Sequence, residues 1–133
     1  RISGPLLDRI DIHIDVPAVR YRELAARQTA EPSAAIKARI EAARRCQRER
    51  LPDHPLFTNT RLTDPQLKAF CALDTESQRL LEMAVDRLGL SARAYTRILK
   101  VARTIADLES EADIRSPHVA EAIHYRTLDR ALI

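Results

Sequence analysis

Glycine is scarce in this sequence of 133 residues, which contains only two glycines, Gly4 and Gly89, far apart in the chain. A phosphate-binding loop or a dinucleotide fingerprint needs two or three closely spaced glycines, because the backbone must approach a phosphate there. The sequence therefore excludes a self-contained nucleotide-binding site of either kind.

Cysteines, metal-ligand clusters and long apolar runs are scarce as well. Cys46 and Cys71 lack the spacing of a disulfide framework or a zinc site and indicate reduced thiols in a cytoplasmic protein. His118 and His124 are six residues apart and fall on different faces of any helix, so we predict no metal site. No apolar run approaches the roughly 20 residues of a membrane span, so we expect no membrane partner.

Charge of one sign is lacking too, since 22 basic and 19 acidic residues give a net charge of +3. A dedicated nucleic-acid binder usually carries a stronger positive field. The predominance of arginine over lysine favours a composition bias over many anion contacts. Net charge is therefore a weak guide to partners.

One segment has the pattern of a β-strand. Residues 10–16 are apolar at every even position and polar at every odd one, which is the period of a half-buried strand. A single strand cannot satisfy its own backbone hydrogen bonds, so its partner strands are expected outside this sequence. Because the chain also starts at Arg1 rather than Met, we expect a piece of a longer protein.

The rest of the chain is helical in pattern, which predicts a mainly α fold: a helical bundle preceded by a long basic helix and the orphan strand. Capping boxes are predicted at Thr63 with Gln66 and at Thr75 with Gln78, and Gly89 suits a left-handed helix end. The predicted helices cover residues 33–50, 63–73, 75–88, 91–109 and 116 onward. The predicted inward-facing residues of the last three helices are Leu80, Leu81, Ala84, Val85, Leu88, Tyr95, Ile98, Leu99, Ala102, Ile105, Ala106, Val119, Ile123 and Leu128.

Arg9 stands immediately before the strand pattern. An arginine at the mouth of a sheet edge can direct its rigid five-donor fork at an anion on a neighbouring molecule. The alternative is a surface ion pair with Asp8 or Asp11, which contributes about 0–1 kcal/mol. Asp11 and Asp15 flank His13 on the polar side of the strand and receive no catalytic role.

Arg93 falls in the first turn of the helix that Ser91 caps, where the helix dipole disfavours a positive charge by about 0.3–1 kcal/mol. Arg93, Arg97 and Lys100 share one helix face at i, i+4 and i+7. This arrangement suits contact with a polyphosphate, and a solvated helix face has the same pattern.

The helix predicted at 33–50 is strongly basic, with six basic residues and two acidic ones. Such a helix could follow a nucleic-acid backbone through Lys37, Arg44, Arg45 and Arg48. No aromatic residue interleaves these charges, so stacking on single-stranded bases is not supported. A solvated face is the alternative here as well.

Three blocks of the sequence carry a resemblance to a known family. The blocks are residues 4–17 (GPLLDRIDIHIDVP), 90–108 (LSARAYTRILKVARTIADL) and 118–126 (HVAEAIHYR). They resemble magnesium-chelatase-like bacterial AAA+ ATPases, in particular the competence protein ComM (YifB) group. The first block is similar to the end of the AAA+ core, the second to the sensor 2 helix and the third to the closing helix.

The resemblance implies roles for particular residues. Arg9 would be the arginine finger that reaches the nucleotide of an adjacent subunit, and Arg93 the sensor 2 arginine that contacts the ATP γ-phosphate, with Arg97 as a further nucleotide contact. It also divides the chain into residues 1–19 (last core strand and finger), 20–60 (inserted helical segment and linker) and 61–133 (helical lid with sensor 2).

The resemblance further implies a full-length protein that uses ATP and Mg2+ and forms a hexameric homo-oligomeric ring. This chain alone would bind neither cofactor, and its partners would be the N-terminal and core parts of the same protein. Members of the group resemble helicases that drive DNA branch migration in natural transformation. The alternatives are a magnesium chelatase subunit that inserts the metal into a porphyrin and a non-enzymatic DNA-binding helical module.

Overall fold

A computed structural model describes residue 6 and residues 9–18, 30–53 and 57–126. Within these ranges the prediction of a mainly helical chain is confirmed. The helices are α1 (Ser33–Arg50), α2 (Asp64–Phe70), α3 (Thr75–Leu88), α4 (Ala92–Leu108) and α5 (Ser116–His124), with a 3₁₀ turn at Asn59–Arg61 before α2. No helix in these ranges has both the length and the apolarity to cross a membrane.

Local sequence signals fix most of the helix ends. The capping box of α2 is confirmed at Thr63 and Gln66, although the helix ends at Phe70 and not at residue 73. The predicted box at the start of α3 is wrong, because Asp74 caps this helix through an Oδ1 that accepts the Ser77 N–H at 2.8 Å. A carboxylate suits this position since it also faces the positive end of the helix dipole.

Gly89 ends α3 as predicted, with φ at 59°, a left-handed conformation that a residue with a Cβ adopts only with strain. Two residues later, the Ser91 hydroxyl accepts the Ala94 N–H at 3.1 Å and starts α4. These adjacent stop and start signals determine where the first turn of α4 begins.

Helix α4 forms the centre of the bundle and packs against α1, α2, α5 and the 3₁₀ turn, while α3 packs against α5. The prediction that Tyr95 of α4 faces the core is wrong. Tyr95 is 43% exposed, because Ala94 occupies the core-facing position in the first turn of α4. Leu128 lies outside the described residues. The core consists of Phe57, Leu62, Leu67, Cys71, Leu81, Ile98, Leu99, Ala102, Ile105, Ala106, Ile114, Val119 and Ala122.

The predicted strand at 10–16 is not formed as a strand in the described residues 9–18, since no second strand pairs with it there. On its polar side, His13 is buried and its backbone N–H donates to the Tyr125 carbonyl at 2.8 Å, while the two aspartates of that side are exposed. The apolar side faces outward, from Ile10 at 39% exposed to Val16 at 80%.

Candidate functional site

Arg93 lies exposed in the first turn of α4. This turn contains no acidic residue, and the free N–H groups of a helix start carry a partial positive charge. The Arg93 guanidinium adds a full positive charge beside them. The combination favours an anion such as a phosphate at this end of α4.

The other two cations of the predicted stripe are less exposed than Arg93. Arg97 Nη1 lies 3.0 Å from Asp11 Oδ1, without the alignment of a hydrogen bond, and its side chain is 22% exposed. Lys100 Nζ donates to the Thr60 carbonyl at 2.7 Å. Of the three, Arg93 therefore has the most exposed position, and the stripe is not one continuous solvated face.

Arg9 is also exposed, and its N–H donates to the Leu6 carbonyl at 3.0 Å. Asp11, one of the two alternative surface partners for Arg9, pairs with Arg97. Asp8 lies outside the described residues. Since Asp11 is two residues from Arg9, and Arg97 is one helical turn from Arg93, this ion pair joins the two stretches that carry the candidate arginines.

A cleft of about 490 Å³ lies where residues 11–14 meet α4 and the end of α5. Apolar and charged side chains both line it. No group of three or more histidine, cysteine, aspartate or glutamate side chains in the described part of the chain could hold a metal ion. The lining residues include Asp11, Ile12, Arg97, Lys100, Ile105 and Tyr125.

The four candidate nucleic-acid residues of α1 are all exposed. Lys37, Arg44 and Arg48 are spaced i, i+7 and i+11, so they lie along one side of the helix over about 16 Å. Lys37 forms a 3.7 Å ion pair with Glu41 on the same side. Arg50 turns inward and leaves this surface, so the exposed positive charge of α1 is smaller than the sequence suggests.

A buried charge network that the sequence analysis did not predict joins α1 to α4. Its centre is Asp107, whose side chain is 1% exposed. The Asp107 carboxylate accepts hydrogen bonds from Arg50 at 2.5 and 3.2 Å, from Arg103 at 3.0 Å and from Asn59 at 2.8 Å. Gln47 of α1 donates a longer bond of 3.4 Å to the same carboxylate. Opposite charges and hydrogen bonds compensate the burial of this carboxylate.

Two other contacts extend the network. Arg103 also donates to the carbonyls of Glu111 and Ala112, at 2.6 and 2.8 Å, and so holds the loop between α4 and α5. Arg50 lies over the ring of Phe70 in α2, 5.8 Å from its centroid. Arg103 and Asp107 are an i, i+4 pair beside the apolar stripe of α4, which is the sequence signal that could have identified them.

Cys71 lies close to this network, and burial raises the pKa of its thiol to about 11. The guanidinium groups of Arg103 and Arg50 act in the opposite direction but do not offset burial. The thiol is therefore protonated at neutral pH and behaves as a small core residue.

The helical bundle is the C-terminal region of a magnesium-chelatase-like AAA+ protein of the ComM and YifB type. Residues 30–126 match the family model described as magnesium chelatase, subunit ChlI C-terminal, and the chain belongs to that family.

The relatives extend this similarity to nearly the whole chain. It is 41% identical over 133 residues to competence protein ComM of Haemophilus influenzae, covering 99% of this chain and 25% of the relative. It is 41% identical over 134 residues to the uncharacterized protein YifB of Escherichia coli, covering 100% of this chain and 26% of that relative. An uncharacterized protein of Mycobacterium tuberculosis is 30% identical over 126 residues, or 95% of this chain and 25% of its own length. The chain thus spans about a quarter of the length of these relatives.

Proposed function

We propose that this chain is the lid of an ATP-hydrolysing AAA+ ring and supplies two arginines to its nucleotide sites. Arg93 contacts the ATP γ-phosphate, and Arg9 reaches the nucleotide of an adjacent subunit. The observation that carries the proposal is the exposed Arg93 guanidinium in the first turn of α4, a turn without an acidic residue. A helix designed for stability alone would have Asp or Glu there.

The electrostatics support an anionic ligand at this end of α4. Without an anion, Arg93 and the helix dipole repel each other by about 0.3–1 kcal/mol. A bound phosphate turns this unfavourable arrangement into a favourable one, because Arg93 and the helix start then both attract the same negative charge. ATP, when bound, supplies the phosphoryl group that is transferred, and cations around that group stabilise the transition state.

The position of the segment that carries Arg9 supports its proposed contact with the nucleotide of an adjacent subunit. The Asp11–Arg97 ion pair joins this segment to α4 while Arg9 itself stays exposed. A guanidinium can bind a phosphate with two parallel hydrogen bonds, which suits a group that acts across a subunit boundary. In this proposal the phosphate loop and the Mg2+ ligands lie in the core of the full-length protein, and this chain adds the two arginines.

For the full-length protein we propose a hexameric DNA helicase that drives branch migration in natural transformation. The similarity to competence protein ComM supports this proposal. The basic side of α1 formed by Lys37, Arg44 and Arg48, with Arg45 beside it, supports a DNA contact. A stripe of about 16 Å matches roughly five nucleotide steps along one strand of a duplex, at about 3.4 Å each.

A salt titration tests the DNA contact. Replacing Lys37, Arg44 and Arg48 by alanine in the full-length protein should lower the slope of log affinity against log salt by up to about 2.7 for duplex DNA, since each phosphate contact contributes about 0.9. A slope unchanged from the wild type would contradict the contact. A matched control removes three exposed basic residues of α2 and α3, and we expect it to keep the wild-type slope. These are Lys68, Arg79 and Arg87.

A magnesium chelatase subunit is the second candidate, because the matching family model carries that description. ATP turnover by the full-length protein, measured with and without duplex DNA, separates the two candidates. A helicase should be stimulated by DNA. Turnover that ignores DNA, together with metal insertion into a porphyrin by the complete assembly, would overturn the helicase proposal in favour of the chelatase.

A further inference from the structure

Arg126, two residues beyond the end of α5, is the largest fully buried side chain among the described residues, with 1% of the residue exposed. A buried guanidinium costs free energy unless its N–H groups are satisfied. One of its hydrogen bonds goes outside the helical bundle, from Nη1 to the Ile10 carbonyl at 2.5 Å. A buried positive charge of the bundle thus holds the N-terminal segment through a hydrogen bond.

Among the described residues, three contacts join this segment to the bundle within a few residues of each other. Besides the Arg126 bond to Ile10, the His13 N–H donates to the Tyr125 carbonyl, and Asp11 pairs with Arg97. The described residues 9–18 form no helix or strand, so contacts of this kind define where the segment lies. We call Arg97, Tyr125 and Arg126 together the lid clamp.

The lid clamp holds the backbone next to Arg9, the candidate arginine finger. The Ile10 carbonyl lies one residue beyond Arg9, and each residue contributes only two soft backbone torsions. Fixing that carbonyl therefore restricts where the Arg9 side chain starts and which direction it takes. Misplacing a catalytic group by about 1 Å can lower a rate about 100-fold.

We propose that Arg126 is a positioning residue for Arg9, so that the lid sets the position of the group that acts on the adjacent subunit's nucleotide. This inference rests on the proposed role of Arg9. Arginine is required because a lysine has a single nitrogen on a flexible stem and cannot combine the Ile10 bond with the other contacts of a planar guanidinium.

A double-mutant cycle on the full-length protein tests the proposal. We expect Arg126→Lys to lower kcat for ATP by about 10- to 100-fold with little change in KM, because a finger acts in the transition state. In an Arg9→Ala background the same substitution should cause no further loss. Equal fold losses in both backgrounds, or a wild-type kcat for Arg126→Lys, would overturn the proposal.

The cycle also separates this inference from the function on which it rests. If Arg9→Ala alone keeps wild-type turnover, the finger assignment itself fails. If Arg9→Ala abolishes turnover while Arg126→Lys does not affect it, only the positioning role fails. Val119→Ala is the matched control, since it removes buried side-chain volume from α5 and leaves the three residues of the lid clamp in place, and we expect wild-type turnover below its unfolding temperature.

Amide hydrogen exchange gives a readout that a general loss of folding would not mimic. In Arg126→Lys the His13 N–H should exchange at least ten times faster while the Ala102 N–H in the core of α4 stays protected. Unchanged protection at His13 would refute the clamp. If Arg126→Lys does not fold, Asp11→Asn is tested in its place, because this change at an exposed residue weakens the lid clamp without disturbing the core. Asp11→Asn should lower kcat only when Arg9 is present. A wild-type kcat for Asp11→Asn would count against the lid clamp.

Discussion

The buried Asp107 carboxylate offers the sharpest test of how α1 is joined to α4. Replacing Asp107 by alanine removes the common acceptor of Arg50, Arg103 and Asn59. The Arg103 side chain is 3% exposed and that of Arg50 is 14% exposed, so water cannot readily replace the lost carboxylate. Two positive charges would then remain close together in the interior.

The expected cost follows from these contacts. Removing one partner of a buried ion pair destabilises a protein by about 3–5 kcal/mol. Arg103 keeps its two carbonyl acceptors and Arg50 keeps Asn59 Oδ1 at 3.0 Å, which reduces the penalty. We therefore expect Asp107→Ala to lower the free energy of unfolding by about 3–4 kcal/mol, a large part of the roughly 5–15 kcal/mol typical of a domain.

Urea denaturation followed by circular dichroism measures this change. With a slope of about 2 kcal/mol per molar urea, the midpoint should fall by about 2 M. Asp86→Ala, at an exposed position of α3, is the control and should stay within about 0.5 kcal/mol of the wild type. The double variant Arg103→Met with Asp107→Leu should lose less stability than the sum of the two single changes. A loss below about 1 kcal/mol for Asp107→Ala, or strict additivity in the double variant, would refute the reasoning.

Titratable groups give the remaining predictions. The hydrogen bond from the Ser77 N–H lowers the pKa of Asp74. The cap therefore stabilises α3 fully at pH values above the ordinary aspartate pKa, and this stabilisation is lost as the pH falls through the lowered pKa. The difference in Tm between the wild type and Asp74→Ala should therefore narrow in acid; a constant difference would contradict the cap. Cys71, with a pKa of about 11, should resist a thiol reagent at pH 8 while the partly exposed Cys46 reacts, and equal labelling rates in the native protein would count against its burial. The hydrogen bond to Glu121 raises the pKa of Tyr125, so Glu121→Gln should lower the midpoint of its absorbance titration, and an unmoved midpoint would exclude that bond.

Features encoded locally were predictable from the sequence. The Thr63 capping box, the Ser91 cap and the left-handed Gly89 each depend on a few neighbouring residues, and the structure contains all three. The start of α3 was mispredicted because Asp74 and Thr75 are both good caps, and choosing between adjacent caps depends on a backbone geometry that the residue types do not reveal.

Long-range contacts were not predictable from local patterns. Arg50 looked like one more cation of a basic helix, yet it pairs with Asp107, 57 residues further along the chain. Arg126 and Ile10 are 116 residues apart, and nothing in either local pattern indicates their contact. The alternation of residues 10–16 indicated two different faces but not which one meets the bundle, since both depend on partners elsewhere.

Arg93 is the residue on which the account depends most, and ATP turnover by the full-length protein tests it most directly. We predict that Arg93→Ala lowers turnover by orders of magnitude, while Arg87→Ala, which removes another exposed arginine from the last turn of α3, leaves it at the wild-type level. Wild-type turnover in Arg93→Ala, or an equal loss in the two variants, would contradict the assignment of Arg93 to the nucleotide.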